Sequence, residues 1–233
     1  MPRQSSAPRH RFRTWLWRAL LMLVVADSLY LAYIWPDWAQ LASGPMPRSS
    51  FMQTYQQERS THPDWPPLRW QPVMLAQMPR YLLRTVVVAE DARFYEHGGF
   101  DLQALREVID YDLEQGRVVY GASTISQQTV KNLFLSPSRN PLRKWHEVLL
   151  TWRMEQHLDK RRILELYLNC AEFGRGIYGV QAAAQHYWGI SAAHLSAQQA
   201  IELAATLPSP LHDNPSTRTR AFQQRVAKIK RHL

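Results

Sequence analysis

The sequence predicts a mainly α-helical domain carried behind one N-terminal transmembrane helix. Three observations predict it. An apolar run near the N-terminus follows a cluster of arginines with no acidic residue among them. Beyond residue 80, capping residues repeatedly precede segments whose apolar positions recur every three or four residues. No convincing series of alternating residues marks a run of strands. The chain has 233 residues, 45% hydrophobic and 20% charged, which suits one sizeable domain plus an anchor and excludes a disordered chain.

The anchor is "ALLMLVVADSLYLAYIW", residues 19–35, at the lower edge of a membrane-spanning length. Leu16 and Trp17 extend it past Arg18, whose long side chain can snorkel to the interface. Trp15, Trp17, Tyr30, Tyr33 and Trp35 sit near its ends, where amphipathic rings favour the headgroup region. Arg3, Arg9, Arg11, Arg13 and Arg18 all precede the span, so a cytoplasmic N-terminus and an external domain are expected. Asp27 is unfavourable inside it, by roughly 2.5–3.5 kcal/mol on insertion scales. More than half of the fifteen prolines fall between residues 36 and 79, which reads as an extended, semi-rigid segment outside the core. The expected organisation is a basic tail over 1–18, the anchor over 19–35, a linker and membrane-proximal segment over 36–79, and a domain over 80–233.

Helices then follow in order. Tyr81, Leu82, Thr85, Val86 and Val88 give one an apolar face that ends at Glu90. Asp101 is placed to cap "LQALREVIDYDLEQ", with Gly116 just past its end, and Ser123 to cap "TISQQTVKNLF". Asn140 and Pro141 open a helix carrying the stripe Leu142, Trp145, Leu149, Trp152. Asp159 starts "KRRILELYLN", "GVQAAAQHYW" ends at Gly189, and Ser196 with Gln199 makes a capping box for "AQQAIELAATL". The last segment, 217–232, is short and rich in Arg and Lys.

The formal net charge of +9, of which five units lie beyond the anchor, suits an anionic ligand such as nucleic acid, anionic lipid or a phosphorylated substrate. The single cysteine, Cys170, excludes an intramolecular disulfide and any multi-cysteine metal site.

Glu90 has two readings. Held against apolar surface, a carboxyl has its charged form disfavoured and becomes a useful base or acid. Paired with Arg84 or Arg93, it is an ordinary residue on a solvated face. His97, beside Gly98 and Gly99, is a ligand or, more commonly, a turn histidine. In "GASTISQQTVKNLF", 121–134, Ser123 and Thr124 fall at a helix start, where free N–H groups favour an anion. Gln127, Gln128 and Lys131 share a polar face, and the GK[ST] ending of a phosphate-binding loop is absent. In "RKWHE", 143–147, Arg143 and Glu147 are either an intrahelical ion pair or a phosphate-binding cation beside a second acid. Two acids flanking a sugar-like polar face point to glycosyl chemistry, and Lys131 with Arg143 would offset charge on a leaving diphosphate.

These blocks resemble the peptidoglycan glycosyltransferases, glycosyltransferase family 51. "EDARFYEHGGFD" resembles their first motif, "GASTISQQTVKNLF" the second, "RKWHE" the third, "RRILELYLN" with "FGRGIYGVQAAAQHYWG" the fourth, and "ELAATLPSPLHDNP" the fifth. Order and spacing also match, over roughly residues 80–215. Ser126 departs from the usual Thr. The anchor and the "SGPMPRSSFM" linker are similar to the monofunctional biosynthetic members of Gram-negative bacteria.

The resemblance implies a lysozyme-like fold with a larger lobe and a smaller membrane-proximal one. It implies polymerisation of lipid II into β-1,4-linked glycan with release of undecaprenyl diphosphate. Glu90 would be the general base on the acceptor 4-hydroxyl, and Glu147 would sit near the donor diphosphate, assisting its departure or positioning a divalent metal such as Mg2+. Lys131 and Arg143 would bind the diphosphate; Ser123, Thr124, Gln127, Gln128 and Asn132 would line the substrate site; Asp91, Phe94 and His97 would shape and support it. The implied setting is the bacterial inner membrane, with lipid II, the growing glycan chain and cell-wall synthesis or division proteins as partners and no nucleic acid. A lytic enzyme on the same fold would need the glutamate but not the cations. A non-catalytic scaffold would need neither glutamate. No Ser-x-x-Lys occurs, so no transpeptidase domain is expected.

Overall fold

The computed structural model describes residues 7–115, 123–138 and 140–233. The chain divides into two units, residues 1–37 and 38–233. Within the first, α1 (Ala7–Tyr33) is long and apolar enough to cross a membrane. Leu20 to Val25 and Leu29 are all exposed on it, and no one side is preferentially apolar, as suits a helix whose solvent is lipid. Ser28 is satisfied within the helix, its Oγ donating to the Val24 carbonyl at 2.8 Å.

The second unit is mainly α, as expected. It contains α2 (Trp38–Ser43), α3 (Ser50–Thr61), α4 (Arg80–Glu90), α5 (Leu102–Gln115), α6 (Ile125–Phe134), α7 (Pro141–His157), α8 (Lys160–Cys170), α9 (Val180–Trp188), α10 (Ala197–Thr206) and α11 (Arg220–His232). The predicted caps Asn140, Asp159 and Ser196 all bond the first turns of their helices. Asp101 likewise accepts from Ala104 N at 2.8 Å, and Gly189 ends α9 in the left-handed conformation. Gly116 lies outside the described residues.

At the centre, α6 packs between α7 and α8. Ile125, Val130 and Leu133 of α6, Leu150 and Met154 of α7, and Ile163, Leu164 and Leu168 of α8 are all buried in this core. Beside it, α4 lays Leu82, Val86 and Val87 against α10, whose Ala200, Ala204 and Ala205 let the two backbones approach closely. The basic α11 completes this layer through Phe222 and Ile229.

Three expectations change. Residues 36–79 are not an extended segment outside the core: Trp38, Leu41, Met52, Tyr55, Leu75 and Met78 are buried, and Ser50 Oγ donates to the Leu135 carbonyl at 2.6 Å. Prolines punctuate this segment without keeping it from packing. Second, a three-stranded sheet exists, ordered β1 (Arg69–Trp70), β3 (Ile177–Tyr178), β2 (Glu172–Gly174). Strands of two or three residues are too short to display a period of two. Gly176 turns the β2–β3 hairpin at φ +71°, where a Cβ would stand 2.6 Å from the Tyr55 hydroxyl. Third, Thr124 rather than Ser123 caps α6. It forms a reciprocal box with Gln127, three residues on, whereas the residue three after Ser123 is Ser126. The apolar stripe of α7, whose direction the spacing leaves open, faces outward. Leu142, Trp145 and Trp152 are 56%, 52% and 52% exposed, and the helix buries His146, Glu147, Leu150, Thr151 and Met154 instead.

Candidate active site

Glu90 is the last residue of α4. Behind it, the chain is clamped to the start of α6. Asp91 Oδ2 accepts from Ile125 N at 3.0 Å and Oδ1 from His97 Nε2 at 2.9 Å. Gly99 N donates to His97 Nδ1 at 3.1 Å, which leaves Nε2 to carry the hydrogen given to Asp91. Thr124 Oγ1 donates to the Gly99 carbonyl at 2.7 Å. Gly99 itself has φ +94°, and a Cβ there would lie 2.9 Å from Thr151 Cγ2, so only glycine fits.

The Glu90 carboxylate is held from α6 and α8. Gln128 Nε2 donates to Glu90 Oε2 at 2.8 Å, and Tyr167 Oη donates to Gln128 Oε1 at 3.1 Å. Burial pushes the Glu90 carboxyl above its ordinary value, while the Gln128 bond, Lys131, Tyr167 and Arg225 pull it back. Neither Arg84 nor Arg93 is its partner: Arg84 reaches the Leu233 carbonyl and Arg93 pairs with Asp101. Glu90, Asp91, Asp101, Glu107 and Ser123 line a cavity of about 420 Å³.

One turn along α6, Lys131 is also enclosed. Burial lowers its ammonium below the ordinary value, Glu147 opposes that shift, and Arg143 and Lys144 reinforce it. Glu147 is buried on α7, with Lys144 Nζ on Oε1 and Arg143 Nη1 3.5 Å from Oε2. Arg143 Nε is buried with no protein partner. Lys131 thus feels both glutamates, and three cations converge on Glu147. An anion with several oxygens suits such a patch better than a neutral ligand does.

The predicted site residues divide in two. Glu90, Gln128, Lys131, Arg143 and Glu147 come together, with Ser123 exposed at the rim of the cavity. The capping box occupies the Thr124 hydroxyl and the Gln127 Oε1. Phe94 is fully buried, with Lys160 Nζ 4.5 Å from its ring centroid. Asn132 is buried and bonds Cys170, whose thiol burial has pushed up to about 12. Phe94, Gln127 and Asn132 are buried, whereas Thr124 lines the same cavity as Glu90 and Ser123. Tyr167 and Lys144 were legible only as members of their motifs. Nothing in the sequence marks a hydroxyl at position 167 as aimed at Gln128.

The donor set does not fit a divalent cation. Both Glu147 oxygens already face basic side chains, and a further dication among three cations would be repelled. Asp91, His97 and Asp101 bring possible ligand atoms within 4.8 Å of one another. Asp91, however, is engaged by Ile125 N and His97, and Asp101 by Arg93 and Ala104 N.

A half-buried acid beside a cluster of cations suits an enzyme of acid–base chemistry on an anionic substrate. Residues 63–233 match the transglycosylase family, and the chain belongs to it. A biosynthetic peptidoglycan transglycosylase of Nitrosospira multiformis is 40% identical over 85% of this chain and 86% of its own. One from Thiobacillus denitrificans is 39% identical over 94% of both chains. One from a Janthinobacterium strain is 51% identical over 55% and 56%.

Proposed function

We propose that this transglycosylase builds peptidoglycan by polymerising lipid II, in the membrane that α1 spans, with its N-terminus cytoplasmic and residues 38–233 outside. The observation that carries the reading is the pairing of a desolvated carboxylate, Glu90, with the cations Lys131, Arg143 and Lys144. The donor carries its own leaving group, a diphosphate. What remains is to deprotonate a weak nucleophile and to offset the departing charge.

Glu90 takes the proton of the acceptor 4-hydroxyl as that oxygen bonds the donor's anomeric carbon. The bond from that carbon to the diphosphate oxygen breaks, and its electron pair leaves with undecaprenyl diphosphate. Attack opposite an α-linked diphosphate gives a β-linkage. A raised Glu90 carboxyl is a stronger base than an exposed one, and Gln128 keeps it aimed. Glu147 orients Arg143 and Lys144 toward the diphosphate. The outward Trp145 and Trp152 suit a domain working at a lipid surface.

Incubation of the full chain with labelled lipid II tests this. Wild type yields polymer, whereas Glu90→Gln and Glu147→Gln lose it. Polymer from Glu90→Gln, or cleavage of preformed glycan in place of synthesis, would overturn the reading.

A further inference from the structure

The C-terminal helix, in none of the motif assignments, reaches the candidate base. Arg84 Nη2 donates to the Leu233 carbonyl at 2.9 Å, which fixes the end of α11 beside the middle of α4. From Leu233 back to Arg225 is about 12 Å of helical rise, and from Arg84 forward to Glu90 about 9 Å. The two helices are in contact, and an antiparallel course from this fixed end would bring Arg225 level with Glu90. Its charge is among those that bear on the Glu90 carboxyl.

The Arg225 guanidinium is anchored. Nη2 bonds Asp213 Oδ2 at 2.5 Å, and Asp213 Oδ1 accepts from Thr219 Oγ1 at 2.6 Å, itself the N-cap of α11. Arg225 Nε is buried without a protein partner. An ordinary surface ion pair keeps its remaining donors in water. Burying one unpaired is a cost that asks for a reason.

The groups around Glu90 divide the work. From α6 come Gln128 and Lys131, from α8 Tyr167, from α11 Arg225. The only ionisable residue of α10 is Glu202, held by Gln198 and Arg218. Asp91 is taken by Ile125 N and His97. Two cations therefore favour the Glu90 carboxylate. Lys131 is shared with Glu147 and, in the proposed reaction, with a diphosphate that would absorb its field. Arg225 is held by Asp213, a partner within the protein itself.

We propose that Arg225 is a positioning residue of the active site, anchored by Asp213 so that a fixed positive charge from the C-terminal helix keeps Glu90 ionised when the donor diphosphate occupies Lys131. The inference rests on Glu90 being the base. Removing the charge leaves the carboxyl protonated up to higher pH, so the base is lost on the acid side and the alkaline plateau stands.

The test is a pH–rate profile of lipid II polymerisation by the full chain. Alongside it runs a 13C NMR titration of carboxyl-labelled glutamate, with Glu90 assigned by its absence in Glu90→Gln. Arg225→Gln should lose about threefold relative to wild type at mildly acidic pH and retain its alkaline rate, with the Glu90 resonance titrating at higher pH. Arg225→Lys should restore both. If Arg225→Gln does not fold, judged by thermal unfolding, Arg225→Met carries the same comparison. An unchanged acid limb and an unchanged Glu90 titration would overturn the proposal while leaving the base reading intact. Polymerisation by Glu90→Gln would remove the base, and the NMR titration would then judge the Arg225 coupling alone.

Discussion

Glu90 and Gln128 are joined across two helices by a hydrogen bond of 2.8 Å, donated by the carboxamide to the carboxylate. The bond favours the ionised form against the burial that opposes it. Gln128→Leu keeps the volume and removes the donor. A hydrogen bond to a charged group contributes about 1.5–3 kcal/mol, so polymerisation at neutral pH should fall at least tenfold. The acid limb of the pH–rate profile should move to higher pH, since the carboxyl loses a stabiliser of its charged form. A uniform loss at all pH values would contradict this role.

Tyr167 acts one step further back. Its hydroxyl orients the Gln128 carboxamide, at 3.1 Å, and burial holds that hydroxyl well above its usual range, so it stays a donor. Tyr167→Phe should reduce the rate by about threefold, in line with a neutral hydrogen bond of about 1 kcal/mol. Tyr167 also bears on Glu90 directly, so Gln128→Leu/Tyr167→Phe should be slower than Gln128→Leu alone but by less than the product of the two single losses. Additive losses in kcat would separate them.

Asp91 holds the strand of chain after α4 onto the start of α6 with both of its oxygens. Asp91→Ala strands two buried donors, Ile125 N–H and His97 Nε2–H, at about 1–3 kcal/mol each. Thermal unfolding should register a loss of about 2–6 kcal/mol, with Asp91→Asn milder because one acceptor survives. An Asp91→Ala protein as stable as wild type would mean that the clamp is replaceable.

The helices around the site were legible because their caps are local chemistry. Asn140, Asp159 and the Ser196–Gln199 box lie beside the backbone groups they satisfy. The Thr124 cap was present too, in the spacing to Gln127, but Ser123 stood next to it. Glu90, Lys131 and Glu147 were legible as a set only through their motifs, since no periodicity brings three separate helices together. The outward direction of the α7 stripe was not legible, because 3/4 spacing marks an apolar face without naming what covers it. Arg225 and Tyr167 depend on tertiary packing, and residues 36–79 looked like a linker because proline count says little about burial.

The outward face of α7 sets a further expectation. Trp145 and Trp152 are half exposed on one face of α7, beside the exposed Leu142. In proteoliposomes, brominated lipid should quench part of the tryptophan fluorescence of wild type. Trp145→Ser/Trp152→Ser should lose some of that quenching while its circular dichroism is unchanged. Equal quenching in both would place this face away from lipid.

Glu172 gives a stability signature independent of catalysis. Burial pushes its carboxyl up to about 7, against the Gly176 N–H, Arg175 and the Tyr178 hydroxyl, from an ordinary value of 4.5. A folded value above the unfolded one means that stability is fully present below about pH 4.5 and is lost as pH rises through about 7. Integrated over that shift, the loss is at most about 3 kcal/mol. Glu172→Gln cannot ionise and its carbonyl can still accept from Tyr178. The variant should therefore match wild type in acid and exceed it above neutrality by up to about 3 kcal/mol, measured by denaturant unfolding of the detergent-solubilised chain. Parallel stability curves for the two proteins across this pH window would show that Glu172 titrates as an ordinary carboxylate. An excess appearing only as pH rises would identify the buried carboxylate beside the β2–β3 hairpin as a site where burial opposes charge.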